Sequence, residues 1–137
     1  MAKNYVLDTS AILTFTQDEE GNRIVEDVLL GIKKHKNIVY ISFVTLTELY
    51  YVVWQHKGES FAKELAVLVK SLPIHRVDSS ERLALLAGRI KANYSLSLAD
   101  SFVAATAMEK EAILVHKDPE FEALSKQIQL CPLPYKK

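Results

Sequence analysis

Four carboxylates give this chain its clearest chemical signal: Asp8, Glu48, Asp100 and Asp118. Asp8 closes a short apolar segment, and Asp118 follows another by two residues. Glu48 falls in the second turn of an expected helix and Asp100 in the first turn of a later one. Four acids brought within a few ångströms repel one another and take up protons unless a cation compensates. Hard divalent ions with oxygen ligands answer that need. Mg²⁺ uses few protein carboxylates and keeps waters for a substrate phosphate, and Mn²⁺ fits the same donors. Such an ion lowers the pKa of a bound water and shields phosphate charge during in-line attack. No covalent nucleophile on the protein is then required.

Each acid also has a structural role open to it. Asp8 or Ser10 can cap a helix. Ser97-x-x-Asp100 resembles a capping box with Asp in place of Glu or Gln. Asp118 before Pro119 suits an N-cap with proline at the first helical position. Glu48 can lie on a polar stripe with Thr45 and Gln55. Capping alone does not require all four to share one rim of a fold, and the order of elements puts them there.

That order alternates strands with helices. Tyr5–Leu7 reads as a strand, Ala11–Thr16 as a short helix, and Asn22–Lys34 as a second helix with Ile24, Val28 and Ile32 on one face. Ile38–Ile41 is β-branched and apolar, hence a strand. Ser42 caps a helix to about His56, Gly58 stops it, and Glu59–Ser71 follows. Ile74–Val77 is a third strand. Ser79 or Ser80 caps a helix over Glu81–Tyr94, and Ser97 caps one over Leu98–Lys110. Ala112–His116 is a fourth strand, Asp118-Pro119 opens a short helix, and Ile128–Leu133 forms a fifth strand. Near-continuous apolar strands between helices predict an α/β fold, a parallel sheet of four or five strands covered on both faces. Such folds place sites outside the carboxyl ends of the strands.

The chain's 137 residues suit a single domain, expected over 1–137. Hydrophobic residues make up 49% and charged residues 25%, the balance of a water-soluble globular chain. Cys131 is the one cysteine, which rules out an internal disulfide. The Met1-Ala2-Lys3-Asn4 start has no signal-peptide pattern, and no stretch reaches the length of a membrane span. The expected location is the cytoplasm.

Four segments resemble the motifs of PIN domains, over nearly the whole chain. Val6-Leu7-Asp8-Thr9-Ser10-Ala11-Ile12-Leu13 resembles the opening motif and Thr47-Glu48-Leu49 the second. Leu98-Ala99-Asp100-Ser101-Phe102-Val103-Ala104-Ala105-Thr106-Ala107 is similar to the third, and Ile113-Leu114-Val115-His116-Lys117-Asp118-Pro119-Glu120-Phe121 to the fourth. The compact size is similar to VapC-type toxins of toxin–antitoxin pairs. The resemblance implies an α/β/α sandwich and a metal-dependent endoribonuclease using Mg²⁺ or Mn²⁺. It also implies a homodimer and an antitoxin partner. It makes Asp8, Glu48, Asp100 and Asp118 the catalytic and metal-binding acids, with Ser10 and Thr9 in support. One position departs from the pattern: the family often has Thr or Ser where this chain has His116. A strand residue two before Asp118 shares its face, so His116 either reaches the cavity or packs beneath the rim.

Lys+Arg and Asp+Glu are equal at 17 each, unlike the basic profile of many nucleic-acid binders. Lys33, Lys34 and Lys36 form one basic cluster, and Arg76, Arg82, Arg89 and Lys91 are spread over another stretch. Each reads first as solvated surface. Dimerisation that lines up modest basic patches beside the acids is the expectation for an RNA substrate. Tyr50, Tyr51 and Trp54 can stack bases, pack an interface or join the core. The Tyr135-Lys136-Lys137 tail can touch phosphate or fray. His35, His56 and His75 lack metal-ligand spacing, and the four glycines form no phosphate loop.

Two other function classes compete. One is a metal-dependent phosphohydrolase of small phosphates; the haloacid-dehalogenase-type opening, though, wants a second acid where Ser10 stands. A receiver domain wants an acidic pair that is absent. The other class is a PIN-like RNA- or protein-binding module without catalysis, against which the retention of all four acids counts.

Overall fold

The computed structural model describes residues 2–136, so the expectations for Met1 and Lys137 lie outside the described residues. Its elements are β1 (Lys3–Leu7), α1 (Thr9–Thr16), α2 (Asn22–Lys33), β2 (Asn37–Ser42), α3 (Phe43–Lys57), α4 (Glu59–Ser71), β3 (His75–Val77), α5 (Glu81–Asn93), α6 (Leu98–Glu109), β4 (Ile113–His116) and β5 (Leu130–Pro132). A 3-10 turn of helix over Pro119–Leu124 links β4 to β5. The sheet has five strands in the order β3-β2-β1-β4-β5. Every pairing is parallel. The sheet and the helices on its two faces form the expected three-layer α/β/α sandwich.

Alternation along the central strands explains the two covered faces. Val6 and Leu114 point into a core built with α5, α6 and the 3-10 segment, where Leu83, Val103 and Phe121 are fully buried. Leu7 and Val115 point the other way, into a core with α1 to α4 that includes Ile12, Val25, Leu49 and Leu65. Side chains on a strand alternate with period two, so a central strand must be apolar at consecutive positions. Each such side chain contributes roughly 1.5–3 kcal/mol by leaving water.

Helix α2 turns slightly from the expected face. Val25 and Val28 are buried while Ile24 is exposed. Gly31 is buried on this face because Asn37 lies against it. A Cβ there would meet Asn37 Nδ2 at 2.1 Å, and that amide donates to Val28 O at 3.0 Å. Glycine at this position leaves room for the Asn37 side chain, which any Cβ would force to move from its bond to Val28.

Parallel strands put all their carboxyl ends on one rim. Asp8 follows β1, and Ser42 at the end of β2 caps α3, accepting from Val44 N at 3.3 Å. Helix α6 runs back to feed β4, so its first turn begins at that same rim. By the same logic α2 starts at this rim and ends at the opposite one. Lys33, Lys34 and Lys36 immediately precede β2 and therefore lie on the far side of the sheet from the acids. Among the described residues, no helix is long and apolar enough to cross a membrane.

Candidate functional site

Asp8, Glu48 and Asp100 converge: one carboxylate oxygen from each lies within 4.8 Å of the others. Asp100, Asp118 and Glu120 form a second group by the same measure. Asp100 belongs to both, so the acids make one continuous cluster at the carboxyl rim. Glu120 was not anticipated. It stands two residues past Asp118 at an exposed position, where sequence alone offers only a solvated acid.

The most buried member is Asp8, with 4% of its surface exposed. Its backbone is fixed by Asp8 N donating to Val115 O at 3.0 Å, and its carbonyl accepts from Ala11 N and Ile12 N at the start of α1. One side-chain oxygen, Oδ2, accepts from Ser10 Oγ at 2.6 Å and caps the helix. The other, Oδ1, is buried and has no hydrogen-bond partner. Burial pushes the Asp8 carboxyl up to about 6, opposed by the Ser10 bond and reinforced by the charge of Glu48. Burial also pushes Asp100 up to about 7, with the charges of Asp8, Glu48 and Asp118 adding to it. Ser97 caps α6 by accepting from Asp100 N at 3.1 Å, which leaves the Asp100 carboxylate among the other acids.

Supporting hydrogen bonds tie these acids to their elements. Thr9 Oγ1 donates to Glu48 Oε1 at 2.7 Å, linking α1 to α3. Lys117 N donates to Ser10 Oγ at 3.0 Å, so Ser10 joins the loop after β4 to Asp8. Asp118 Oδ1 accepts from Glu120 N at 2.9 Å and caps the 3-10 segment. His116 is fully buried and does not line the cavity. Its Nδ1 accepts from Asp118 N at 3.1 Å, and its ring meets Phe121 edge-on at 5.1 Å. Burial holds its imidazole below the usual range, against the bond to Asp118 N and the charges of Asp118 and Glu122. His116 thus anchors the backbone of Asp118 from beneath the rim.

The donor set fits a hard divalent cation. All the ligand atoms are carboxylate oxygens, close enough to share an ion. The unpartnered buried oxygen of Asp8 is a group that costs stability unless something binds it. Burial, with the charges of neighbouring acids added, raises the proton affinities of Asp8 and Asp100, and a bound cation would offset both penalties on their charged forms.

An α/β/α fold with a crowded acidic rim defines the class, and comparison with known proteins places the chain within it. The PIN domain family matches residues 5–127, and the chain belongs to that family, whose members are nucleases. Several solved structures share its fold. A chain of VapBC2 from Rickettsia felis, bound to a promoter DNA fragment, is 19% identical with a TM-score of 0.76, over 96% of this chain and 99% of that one. A chain of DNA-bound VapBC from Salmonella typhimurium is 24% identical with a TM-score of 0.72, over 96% and 98%. VapC20 of Mycobacterium tuberculosis, a toxin that cleaves the sarcin-ricin loop, is 15% identical with a TM-score of 0.69, over 87% and 93%. Comparison with curated proteins finds no match.

Proposed function

We propose that the chain is a divalent-metal-dependent endoribonuclease, acting as one PIN-like unit and as the toxin of a toxin–antitoxin pair. The observation that carries this reading is the single acidic cluster running from Asp8 to Glu120, with a buried carboxylate oxygen left free at its deepest point. Asp8, Glu48 and Asp100 would hold one ion, Mg²⁺ or Mn²⁺, and Asp118 and Glu120 would hold the substrate-side edge of the cluster. When bound, the ion supplies an acidified water and neutralises charge on the phosphate.

The chain's own residues do the positioning. Ser10 occupies one oxygen of Asp8 and leaves the other without a protein partner. Thr9 fixes one oxygen of Glu48. His116 holds the backbone that carries Asp118. Geometry held by such outer contacts is what keeps carboxylate ligands in register. The partner is proposed from the fold-mates: they include a toxin-antitoxin complex from Klebsiella pneumoniae and a member of the VapBC family of toxin-antitoxin systems, and an antitoxin is the proposed partner here. A homodimer in the cytoplasm is the proposed working form.

The test is cleavage of a structured RNA by antitoxin-free protein with Mg²⁺ or Mn²⁺, beside a DNA control and a small phosphate ester. RNA cleavage that EDTA stops, and that Asp8→Asn or Asp100→Asn reduces by at least about 10²-fold, is the expected result. Undiminished cleavage by both variants would end the proposal. Hydrolysis of the small ester alone would move the protein to the phosphatase class.

A further inference from the structure

A cleft of about 560 Å³ opens beside the acidic cluster, sharing Ser10 with it and reaching Pro119, the residue after Asp118. Its size falls in the range of built ligand sites. Its lining carries three lysines from separate parts of the chain: Lys57 at the end of α3, Lys117 after β4, and Lys136 in the tail. Glu19 is the one carboxylate in the lining. Its Oε1 accepts from Lys117 at 3.3 Å, and its Oε2 pairs with Lys136 at 3.4 Å. Both ammonium groups hold Glu19 below the usual carboxylate range, against a burial that raises it. Three cations against one anion leave the cleft positive, although the whole chain is neutral.

The cationic groups are held in place. Lys117 is only 6% exposed along its side chain. Lys57 Nζ sits 4.8 Å from the centre of the Phe61 ring, a cation–π contact that favours one position for a long side chain. The tail that brings Tyr135 and Lys136 is anchored: Leu133 is 2% exposed and its N–H donates to His116 O at 2.7 Å. Pro134 packs against Gly21, whose φ of +96° and lack of a Cβ make room for it. Tyr135 brings an aromatic ring to the cleft wall beside this charge.

We propose that this cleft is the subsite for the nucleotide next to the scissile bond of a single-stranded RNA. In it, Lys57 and Lys136 take the backbone phosphate, Tyr135 stacks the base, and Glu19 holds Lys136 until phosphate displaces it. The inference rests on the ribonuclease reading above. Phosphate neutralisation and base stacking on an aromatic ring are the two elements of single-strand recognition, and the cleft supplies both at the edge of the acids. Lys57 lies nine residues beyond Glu48 on one helix, about 13 Å along its axis. That places its charge outside the cluster, where it binds phosphate without quenching the carboxylates.

The test compares steady-state RNA cleavage by the wild type with that by the Lys57→Ala/Lys136→Ala double variant and by Tyr135→Ala and Tyr135→Phe. Both lysines are exposed, so the fold survives their loss. A contact to one single-stranded phosphate contributes about 0.7 to the salt slope, so removing both lysines that share it lowers the double variant's slope by about 0.7. Wild type then loses about 2.6-fold more kcat/KM than the variant between about 50 and 200 mM salt. KM rises while kcat stays within about twofold. Tyr135→Ala raises KM about tenfold and Tyr135→Phe restores it, since stacking needs the ring and not the hydroxyl. Thermal melting of each variant separates lost binding from lost folding. A wild type that cleaves RNA, beside folded lysine variants with unchanged KM and salt slope, overturns the subsite and gives the cleft to a protein partner. A wild type that cleaves no RNA overturns the ribonuclease reading instead.

Discussion

Replacing Asp8 with Asn should flatten the pH dependence of stability in the metal-free protein. Burial pushes this carboxyl from 3.8 to about 6, and a rise of about two pH units corresponds to ~3 kcal/mol of differential stability. The folded state favours the neutral acid. Its contribution is therefore full below about pH 4 and is lost as pH rises through about 6. Asp100, pushed up to about 7, acts in the same direction and extends the loss toward neutrality. Its partly open position lets solvent screen its share. The acids repel one another, so their titrations are linked and their shifts do not simply add.

The assay is thermal unfolding in EDTA across about pH 4.5 to 7.5, wild type against Asp8→Asn. A chain of 137 residues has an unfolding entropy near 0.29 kcal/mol/K, at about 2.1 cal/mol/K per residue, so ~3 kcal/mol is worth about 10 °C in Tm. Roughly 1 kcal/mol of this is already lost by pH 4.5, so the variant should gain about 2 kcal/mol, or about 7 °C, relative to wild type as pH rises over this window. The substitution also carries a fixed cost. Asn retains an oxygen for Ser10 but sets an N–H₂ where Oδ1 has no partner, about 1–3 kcal/mol at every pH. The gap between the two pH curves is thus the diagnostic, not either Tm alone. Millimolar Mg²⁺ or Mn²⁺ should lift wild type at neutral pH and leave the variant nearly unmoved. Parallel curves for the two proteins would refute the penalty on a buried, charged Asp8 on which the metal assignment depends.

Metal binding should also release protons, because carboxylate ligands must be deprotonated. Calorimetry near pH 6.5 in buffers of different ionisation enthalpy should show about one proton lost per ion, since Asp8 and Asp100 are pushed up to about 6 and about 7; a heat independent of buffer would count against it. Thr9→Val should weaken metal affinity about 10- to 100-fold through its bond to Glu48, as loss of an outer contact does. Thr9→Ser should recover most of it, and equal affinity in all three proteins would show that the Thr9 hydroxyl does not position Glu48.

The elements of the fold were legible because their signals are local. Consecutive apolar residues at Val6-Leu7 and Leu114-Val115 mark strands covered on both faces. Ser42, Ser80 and Ser97 each cap the helix expected of them. Long-range meetings were hidden. Lys57, Lys117 and Lys136 are far apart in sequence, so no local charge density announces the positive cleft they share. Lys33, Lys34 and Lys36 do form such a density, and the direction of α2 carries it to the opposite rim. Charge runs record composition, whereas helix direction decides which charges face a substrate.

The acids themselves show why structural and chemical readings of one residue need not compete. A carboxylate has two oxygens with separate hydrogen-bonding capacity. At Asp8, one oxygen satisfies Ser10 and the start of α1 while the other stays free and buried. Asp118 caps the 3-10 segment through Oδ1 and still stands with Asp100 and Glu120. Helix N-termini gather at the carboxyl rim of a parallel sheet, and capping there already favours short acidic side chains. The capping contacts that fix those side chains also set the direction of their remaining oxygens. The requirement to start helices at one rim therefore supplies, with no further folding, most of the alignment that a shared cation would need.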